Sequence, residues 1–223
     1  MKRFISILII GLVTTIGCFG QIEFNCDGIQ KDNEIFNSTK VSNNKKWAAA
    51  VLKAFPLSND GNISYKYVIT PSDTIDVDRA MTVTHNWFKQ VFKNPEESIK
   101  DIDTVKHVFT CVANYGDAAQ LYGLAGATFI QCPIDLKVEI SDNQIVVKMR
   151  ARQYELRGVN YYTGAQAELI SITAAFPVND KNGHKESYAM AFINTNYRCL
   201  NACRGYFTWL KEHYDEKKDT EDW

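Results

Sequence analysis

The stretch IDLKVEISDNQIVVKMRAR, residues 134–152, alternates apolar and polar residues on both sides of a turn signal at Asp142-Asn143. Alternation with a period of two is typical of strands with one buried face, and two such runs around a turn predict an antiparallel hairpin. The turn pairs apolar residues along one whole face: Ile140 with Ile145, Val138 with Val147, Leu136 with Met149, and Ile134 with Ala151. A slip of one residue would place these side chains opposite charged ones, so the register is well specified.

The other face of this hairpin is charged and carries the first candidate site. Lys148, Arg150 and Arg152 form a basic stripe that could bind an anionic ligand. Asp135 lies opposite Arg150, and Glu139 lies diagonal to Lys148. These carboxylates favour the alternative, a solvated ladder of ion pairs that contribute only about 0–1 kcal/mol each.

A strand and a helix are predicted on the N-terminal side of the hairpin. Residues 63–70 are rich in β-branched and aromatic residues and follow the turn signal Asn59-Asp60-Gly61, so they predict a strand. Asp76 or Asp78 can cap a helix that runs to about Phe92. Its apolar stripe recurs at steps of three and four residues and consists of Ala80, Val83, Trp87, Phe88, Val91 and Phe92.

Further strands and a terminal helix complete the pattern. A strand over 105–115 is expected to join one over 127–134 through a glycine-containing loop at 116–126. Residues 158–167 look like an excursion, and the alternation from Ile170 to Phe176 suggests another strand. A helix is predicted from about Thr195 to Tyr214, with a stripe formed by Leu200, Cys203, Phe207, Leu210 and Tyr214. This order of elements predicts an α+β domain: a curved antiparallel sheet with two helices packed on one face.

The first twenty residues have the pattern of a secretory signal peptide. Lys2 and Arg3 precede an apolar run, residues 5–13, and small residues at Cys18 and Gly20 suit cleavage before Gln21. The mature chain is therefore expected to be exported, either periplasmic or on the cell surface. The alternative is a lipoprotein anchored at Cys18, although Thr15 stands where a leucine is usual.

The rest of the chain divides into three segments. Residues 21–46 form a polar leader, residues 47–214 a single domain with a possible insertion at 158–193, and residues 215–223 a charged tail. Loss of Lys2 and Arg3 with the signal leaves 23 of the 25 basic residues against 26 acidic ones. This near balance argues against nucleic acid as a partner. After the signal no apolar stretch reaches the length that spans a membrane.

Six cysteines are scattered along the chain without a CxxC pair, so no metal site is expected. Cleavage after Gly20 removes Cys18 and leaves five, an odd number. One register of the strands around loop 116–126 places Cys111 opposite Cys132, which would allow a disulfide. The alternative is two separate buried thiols. Cys199 and Cys203 share a helix face and are expected to be buried thiols as well.

One part of the chain resembles a known family. Ala54-Phe55-Pro56-Leu57, then Asp60-Gly61, a tyrosine-bearing strand and a helix with Trp87-Phe88 resemble the opening of a domain-of-unknown-function family found in secreted bacterial proteins. The resemblance covers residues 50–93 best and implies a TATA-binding-protein-like fold. It brings no catalytic residues, and a fold of this kind does not by itself imply DNA binding.

The remaining candidate site is aromatic. Tyr154, Tyr161 and Tyr162, with Gly158 and Gly164 nearby, could contact a sugar or a peptide, or could cap the edge of the sheet. No nucleophile, phosphate-binding or dinucleotide motif is present, so no catalytic residue and no cofactor is assigned. The favoured function is a non-enzymatic exported module that binds an envelope or extracellular partner. The alternative is a hydrolase of envelope or dietary polymers whose site is assembled from dispersed residues.

Overall fold

A computed structural model describes residues 22–23, 45–71, 73–123, 126–160, 164–177 and 185–214. The predicted signal peptide, most of the leader, Tyr161, Tyr162 and the charged tail lie outside these ranges. The domain boundaries and the export of the chain therefore stay predictions.

The described residues form eight strands and five helices. The strands are β1 (Ile22–Glu23), β2 (Ile63–Ile69), β3 (Ile99–Asp103), β4 (Val108–Gly123), β5 (Gly126–Ile140), β6 (Ile145–Ala151), β7 (Gln153–Asn160) and β8 (Gly164–Ser171). The helices are α1 (Lys45–Ala54), α2 (Val77–Val91), α3 (Pro95–Ser98), α4 (Ile172–Ala175) and α5 (Lys185–His213).

All eight strands belong to one curved sheet, in the order β1-β2-β6-β5-β4-β3 with β7 and β8 attached beside β5. Every pairing is antiparallel except that of β1 with β2. The long strand β5 pairs with β6 through residues 135–140 and with β7 through residues 126–131. The sheet therefore has two parts, a β2–β6 half and a β7–β8 half, that share β4 and β5.

The hairpin predicted over residues 134–152 is confirmed for residues 135–150, whereas Ile134 and Ala151, predicted to lie opposite each other, pair with Ala113 and Ile63 instead. Ile140 lies opposite Ile145, Val138 opposite Val147, and Leu136 opposite Met149. These six residues are all buried and belong to one continuous core. Since alternate residues of a strand point to opposite faces, the charged members of β5 and β6 lie on the other side, which is called the open face below.

Two long helices pack on the core face, as predicted. In α2 the Asp76 side chain accepts a hydrogen bond from the Arg79 amide and caps the helix. Trp87 is buried, with its ring centroid 4.8 Å from that of Tyr206 in α5. The Trp209 Nε1–H donates to the Val83 carbonyl at 3.0 Å and ties the two helices together.

The helices α1 and α5 differ from the sequence prediction. The ten-residue helix α1 adds Val51 to the core, together with Phe55 just beyond its end. The helix α5 begins at Lys185, ten residues before the predicted start, and its first turns bury Ala189 and Phe192. Within the described ranges, no helix combines the length and the apolar character needed to cross a bilayer.

The loop predicted at 116–126 and the excursion predicted at 158–167 are wrong. Strand β4 continues to Gly123 and β5 begins at Gly126, while residues 153–160 and 164–171 form the β7–β8 hairpin. The strand suggested from Ile170 to Phe176 ends at Ser171, whose side chain caps α4. These glycine- and alanine-rich strands have weak local propensity and depend on pairing with the long β5.

The register that would place Cys111 opposite Cys132 is also wrong. Cys111 lies opposite Leu136, and Cys132 lies opposite Tyr115. Four residues of strand separate Cys132 from Leu136, a span of about 13 Å, which exceeds the Cα separation that a disulfide allows. Both thiols are free and buried. The register differs from the predicted one because β4 continues to Gly123 and β5 begins only at Gly126.

Candidate functional site

The predicted basic stripe lies on the open face, and each of its cations is paired with a carboxylate. Lys148 Nζ lies 2.7 Å from Glu139 Oε2, and Arg152 Nη2 lies 2.8 Å from Asp135 Oδ2. The Arg150 guanidinium contacts the Asp60 carboxylate from the turn before β2. The stripe is therefore the ladder of ion pairs considered as its alternative, and it leaves no unpaired cation of the three for an anionic ligand.

Glu139 is the centre of this ladder. It accepts from Lys137 and Lys148, each at 2.7 Å, and so bridges two lysines that lie directly opposite each other on β5 and β6. Burial raises the pKa of Glu139, but the hydrogen bonds from Lys137 and Lys148 outweigh it and lower the pKa below its ordinary value. The bridge neutralises a repulsion that the sheet register would otherwise impose.

Of the three tyrosines proposed as ligand contacts, only Tyr154 lies within the described residues. Its side chain is fully buried in the core, so it cannot contact a ligand from solvent. The reason is a break at Arg152, which lies outside both β6 and β7. The break shifts the alternation by one residue and turns Tyr154, rather than Gln153, towards the core.

The buried thiols and hydroxyls beneath the sheet do not form a reactive centre. Burial raises the pKa of Cys132 and that of Cys111 to about 12, and it also raises the pKa of Cys199. Thiols with such raised pKa values are poor nucleophiles. Among the described residues, no group of three or more histidine, cysteine or acidic side chains is arranged to hold a metal ion.

A shallow groove of about 400 Å³ lies between α2 and the β3 end of the sheet. It is lined by His85, Lys89, Pro95, Glu96, Ile99, Lys100, Asp101 and Ile102. Burial, with a smaller effect of Lys89, lowers the pKa of His85, which packs against the Phe109 ring. The lining contains no hydroxyl or thiol side chain.

The edge strands of the sheet differ in how well they are protected from pairing with a further strand. Strand β3 is five residues long and is interrupted by a register shift between Ile99 and Asp101. It also carries charged residues at Lys100, Asp101 and Asp103. Short length, a bulge and charges are the features by which natural proteins prevent further strands from pairing at an edge.

The far half of β4 is covered by α5. Ser187 Oγ donates to the Gln120 carbonyl at 2.9 Å, and Asn194 Nδ2 donates to the Ala118 carbonyl at 2.8 Å. These helix side chains satisfy carbonyl groups that a neighbouring strand would otherwise take. At β2, the short strand β1 pairs with Tyr65 and Lys66.

Strand β8 has no comparable protection. Its eight residues pair with β7 alone, and no described residue hydrogen-bonds to its outer side, which is called the β8 edge below. Ala167, Glu168 and Leu169 are exposed, and Leu169 is 62% exposed. The strand contains no proline and no lysine, and Glu168 is its single charged residue. An exposed edge of this kind is a template for another strand.

Sequence reasoning missed the β8 edge because it placed residues 158–167 outside the sheet. The signal that could have found it is the run Ala165-Gln166-Ala167-Glu168-Leu169, which lacks the lysine or proline typical of a protected edge strand. Tyr161 and Tyr162 lie between β7 and β8 in the chain, outside the described residues.

No family model and no curated protein matches the chain. Two solved structures are similar to it in fold. A TBP-like protein from Parabacteroides distasonis ATCC 8503 has a TM-score of 0.47 and 13% identity, covering 71% of this chain and 98% of its own. A DUF4468 family protein from Bacteroides ovatus ATCC 8483 has a TM-score of 0.40 and 13% identity, covering 76% and 94%.

Proposed function

We propose that this chain is a non-enzymatic interaction module of the cell envelope, which binds another polypeptide along the β8 edge. The observation that carries the proposal is the exposed, unprotected edge of β8 beside edges that are interrupted, charged or covered. Strand addition at such an edge draws its affinity from main-chain hydrogen bonds and its specificity from alternate side chains. The predicted signal peptide supports the envelope as the compartment.

The charge of the open face supports a protein partner over a nucleic acid. A surface that binds phosphate groups needs lysine and arginine side chains that do not already form ion pairs with carboxylates. Here Lys148, Arg150 and Arg152 each contact a carboxylate of the same chain. Binding a polyanion at this face would require breaking those pairs.

The proposal is tested by photo-crosslinking in the bacterial envelope. A benzophenone amino acid is placed at Leu169, at Ala167, or at Val105, an exposed apolar residue in the turn after β3. Leu169 and Ala167 are expected to give polypeptide adducts, whereas Val105 gives none. Because strand pairing is regular, probes two residues apart should attach to partner residues two apart.

Three outcomes would contradict the proposal. Adducts of equal yield from Val105 would show that exposure alone explains the labelling. Absence of adducts from both Ala167 and Leu169 would remove the edge as a binding site. Attachment points scattered over the partner without a spacing of two would exclude strand addition.

A further inference from the structure

We propose that the polypeptide which pairs with the β8 edge is a second copy of this chain, joined by antiparallel pairing of β8 with β8 across a two-fold axis. The inference rests on the proposed function, because it names the partner of that same edge. In a symmetric contact of this kind, the strand pairs with an antiparallel copy of itself. Each side chain must therefore fit beside the side chain that lies opposite it in the copy. The sequence of β8, GAQAELIS, meets this requirement.

Symmetry restricts the possible registers. Residues directly opposite each other in an antiparallel pair share a face, so the two-fold axis must lie midway between one residue and its own copy directly opposite. If that residue is Glu168, two carboxylates face each other, which is destabilising. If it is Leu169, only residues 167–171 can pair within the strand.

An axis at Ala167 avoids both problems and pairs residues 164–170. Small residues then lie opposite large ones: Ala165 opposite Leu169, and Gly164 opposite Ile170. Glu168, the single charge of the strand, lies opposite a glutamine rather than a second acid. We therefore infer the register with Ala167 opposite its own copy.

The neighbouring strand β7 presents no charge that would oppose this pairing. Glu155 and Arg157 lie opposite Leu169 and Ala167 in the β7–β8 pair. They form an ion pair with each other, with Arg157 Nε 2.9 Å from Glu155 Oε1. The surface of β7 beside the axis is thus already neutral. The two Glu168 carboxylates lie diagonal to each other, about 7–8 Å apart, rather than directly opposite.

The contact is expected to be weak. A single pair of short strands is smaller than the interfaces of about 1,200–2,000 Å² that hold stable complexes together. The association should therefore depend on concentration, with monomer dominant in dilute solution. Pairing of this kind would extend the eight-stranded sheet of each copy into one continuous sheet.

The register is tested by trapping the symmetric pair with a disulfide. The Ala167→Cys variant is incubated at high protein concentration with oxidised glutathione, which accepts two electrons as the two thiols lose their protons and form one interchain S–S bond. Opposed Cα atoms in an antiparallel pair are about 4.5–5.5 Å apart, which suits a disulfide. The native thiols Cys111, Cys132, Cys199 and Cys203 are buried. Cys26, which lies outside the described residues, is replaced by serine in this variant and in its control.

Leu169→Cys is the matched control on the same strand and the same face. In the proposed register its thiol is offset from its own copy by four residues, or about 13 Å, so it should not cross-link. We expect about tenfold more covalent dimer from Ala167→Cys than from Leu169→Cys. Equal yields from the two variants, or no covalent dimer from Ala167→Cys, would overturn the inference.

A second measurement does not depend on oxidation. Sedimentation of the otherwise native chain should show a monomer–dimer equilibrium that Leu169→Lys weakens about tenfold, since a lysine at an edge opposes pairing. Val105→Lys, an exposed apolar residue changed in the same way, should leave it unaltered. If the chain stays monomeric while Leu169 probes label a different polypeptide, the second copy is excluded and the proposed function stands. If neither occurs, both are wrong.

Discussion

Strands β3 and β8 are both edges of the same sheet, yet they are built in different ways. Strand β3 is short, charged and interrupted by a register shift, whereas β8 is eight residues long with exposed Ala167 and Leu169. Both strands are paired with a neighbouring strand along their inner side, so the difference between them lies at their outer side. Of these two edges, β8 alone lacks the features that oppose the addition of another strand.

The largest difference in stability is expected between a substitution in the core, where α2 packs against α5, and one on the surface of β8. Trp87→Ala removes a buried ring that contacts Phe88 and Tyr206, and it should lower the free energy of unfolding by about 3–5 kcal/mol. Leu169→Ala, on the exposed strand, should change it by about 0.5 kcal/mol or less. Denaturant unfolding measures both. A loss below about 1 kcal/mol for Trp87→Ala would mean that α2 does not cover the sheet as described.

A smaller loss of stability is expected at the contact between the turn before β2 and the residues that follow the C-terminal end of β8. Gly61 has a φ of 74° in the turn before β2, and a Cβ there would lie 2.6 Å from Cγ2 of Thr173, just after β8. Gly61→Ala should cost about 1–2 kcal/mol from the left-handed backbone, with the contact adding to it. Thermal unfolding of Gly61→Ala, Thr173→Ser and the double variant measures this. The double variant should recover part of the loss, because the offending methyl group is gone; no recovery would contradict the contact.

The smallest effect concerns the ion pairs of the open face. Since the folded pKa of Glu139 is lowered, its contribution to stability is present above its ordinary pKa of 4.5 and is lost as the pH falls through the folded value. Glu139→Gln should therefore be less stable than the native chain at pH 7, by less than about 1 kcal/mol, and the difference should be smaller at pH 3. Urea unfolding at both pH values measures this. A difference that persists undiminished at the lower pH would show that the carboxylate charge is not the cause.

The sequence predicted the parts of the fold that depend on local pattern. The β5–β6 register follows from alternation on both sides of Asp142-Asn143, and α2 follows from its cap at Asp76 and its apolar stripe. The far half of β4 could not be predicted, because its glycine and alanine residues carry little strand propensity. It is held instead by non-local contacts, such as Asn194 of α5 on the Ala118 carbonyl.

The candidate site was predictable only in part. The alternation that placed Glu139 diagonal to Lys148 also indicated a ladder of ion pairs, and the structure shows one. Tyr154 was misplaced because the break at Arg152 shifts the alternation, and periodicity does not reveal such a break. Exposure of Leu169 depends on the sheet order, which leaves β8 with one neighbour.

Hydrogen exchange of the β8 amides, measured at two protein concentrations, tests the central claim most directly. In dilute solution about half of the amides, every second one along Gly164–Ser171, should exchange rapidly, because alternate N–H groups of an edge strand point away from their only neighbour. The same amides should become protected as the concentration rises, whereas the outward amides of β3 stay unprotected. Slow exchange of every β8 amide in dilute solution would contradict the open edge itself, and outward β8 amides that stay fast at every concentration would contradict its pairing with a second copy.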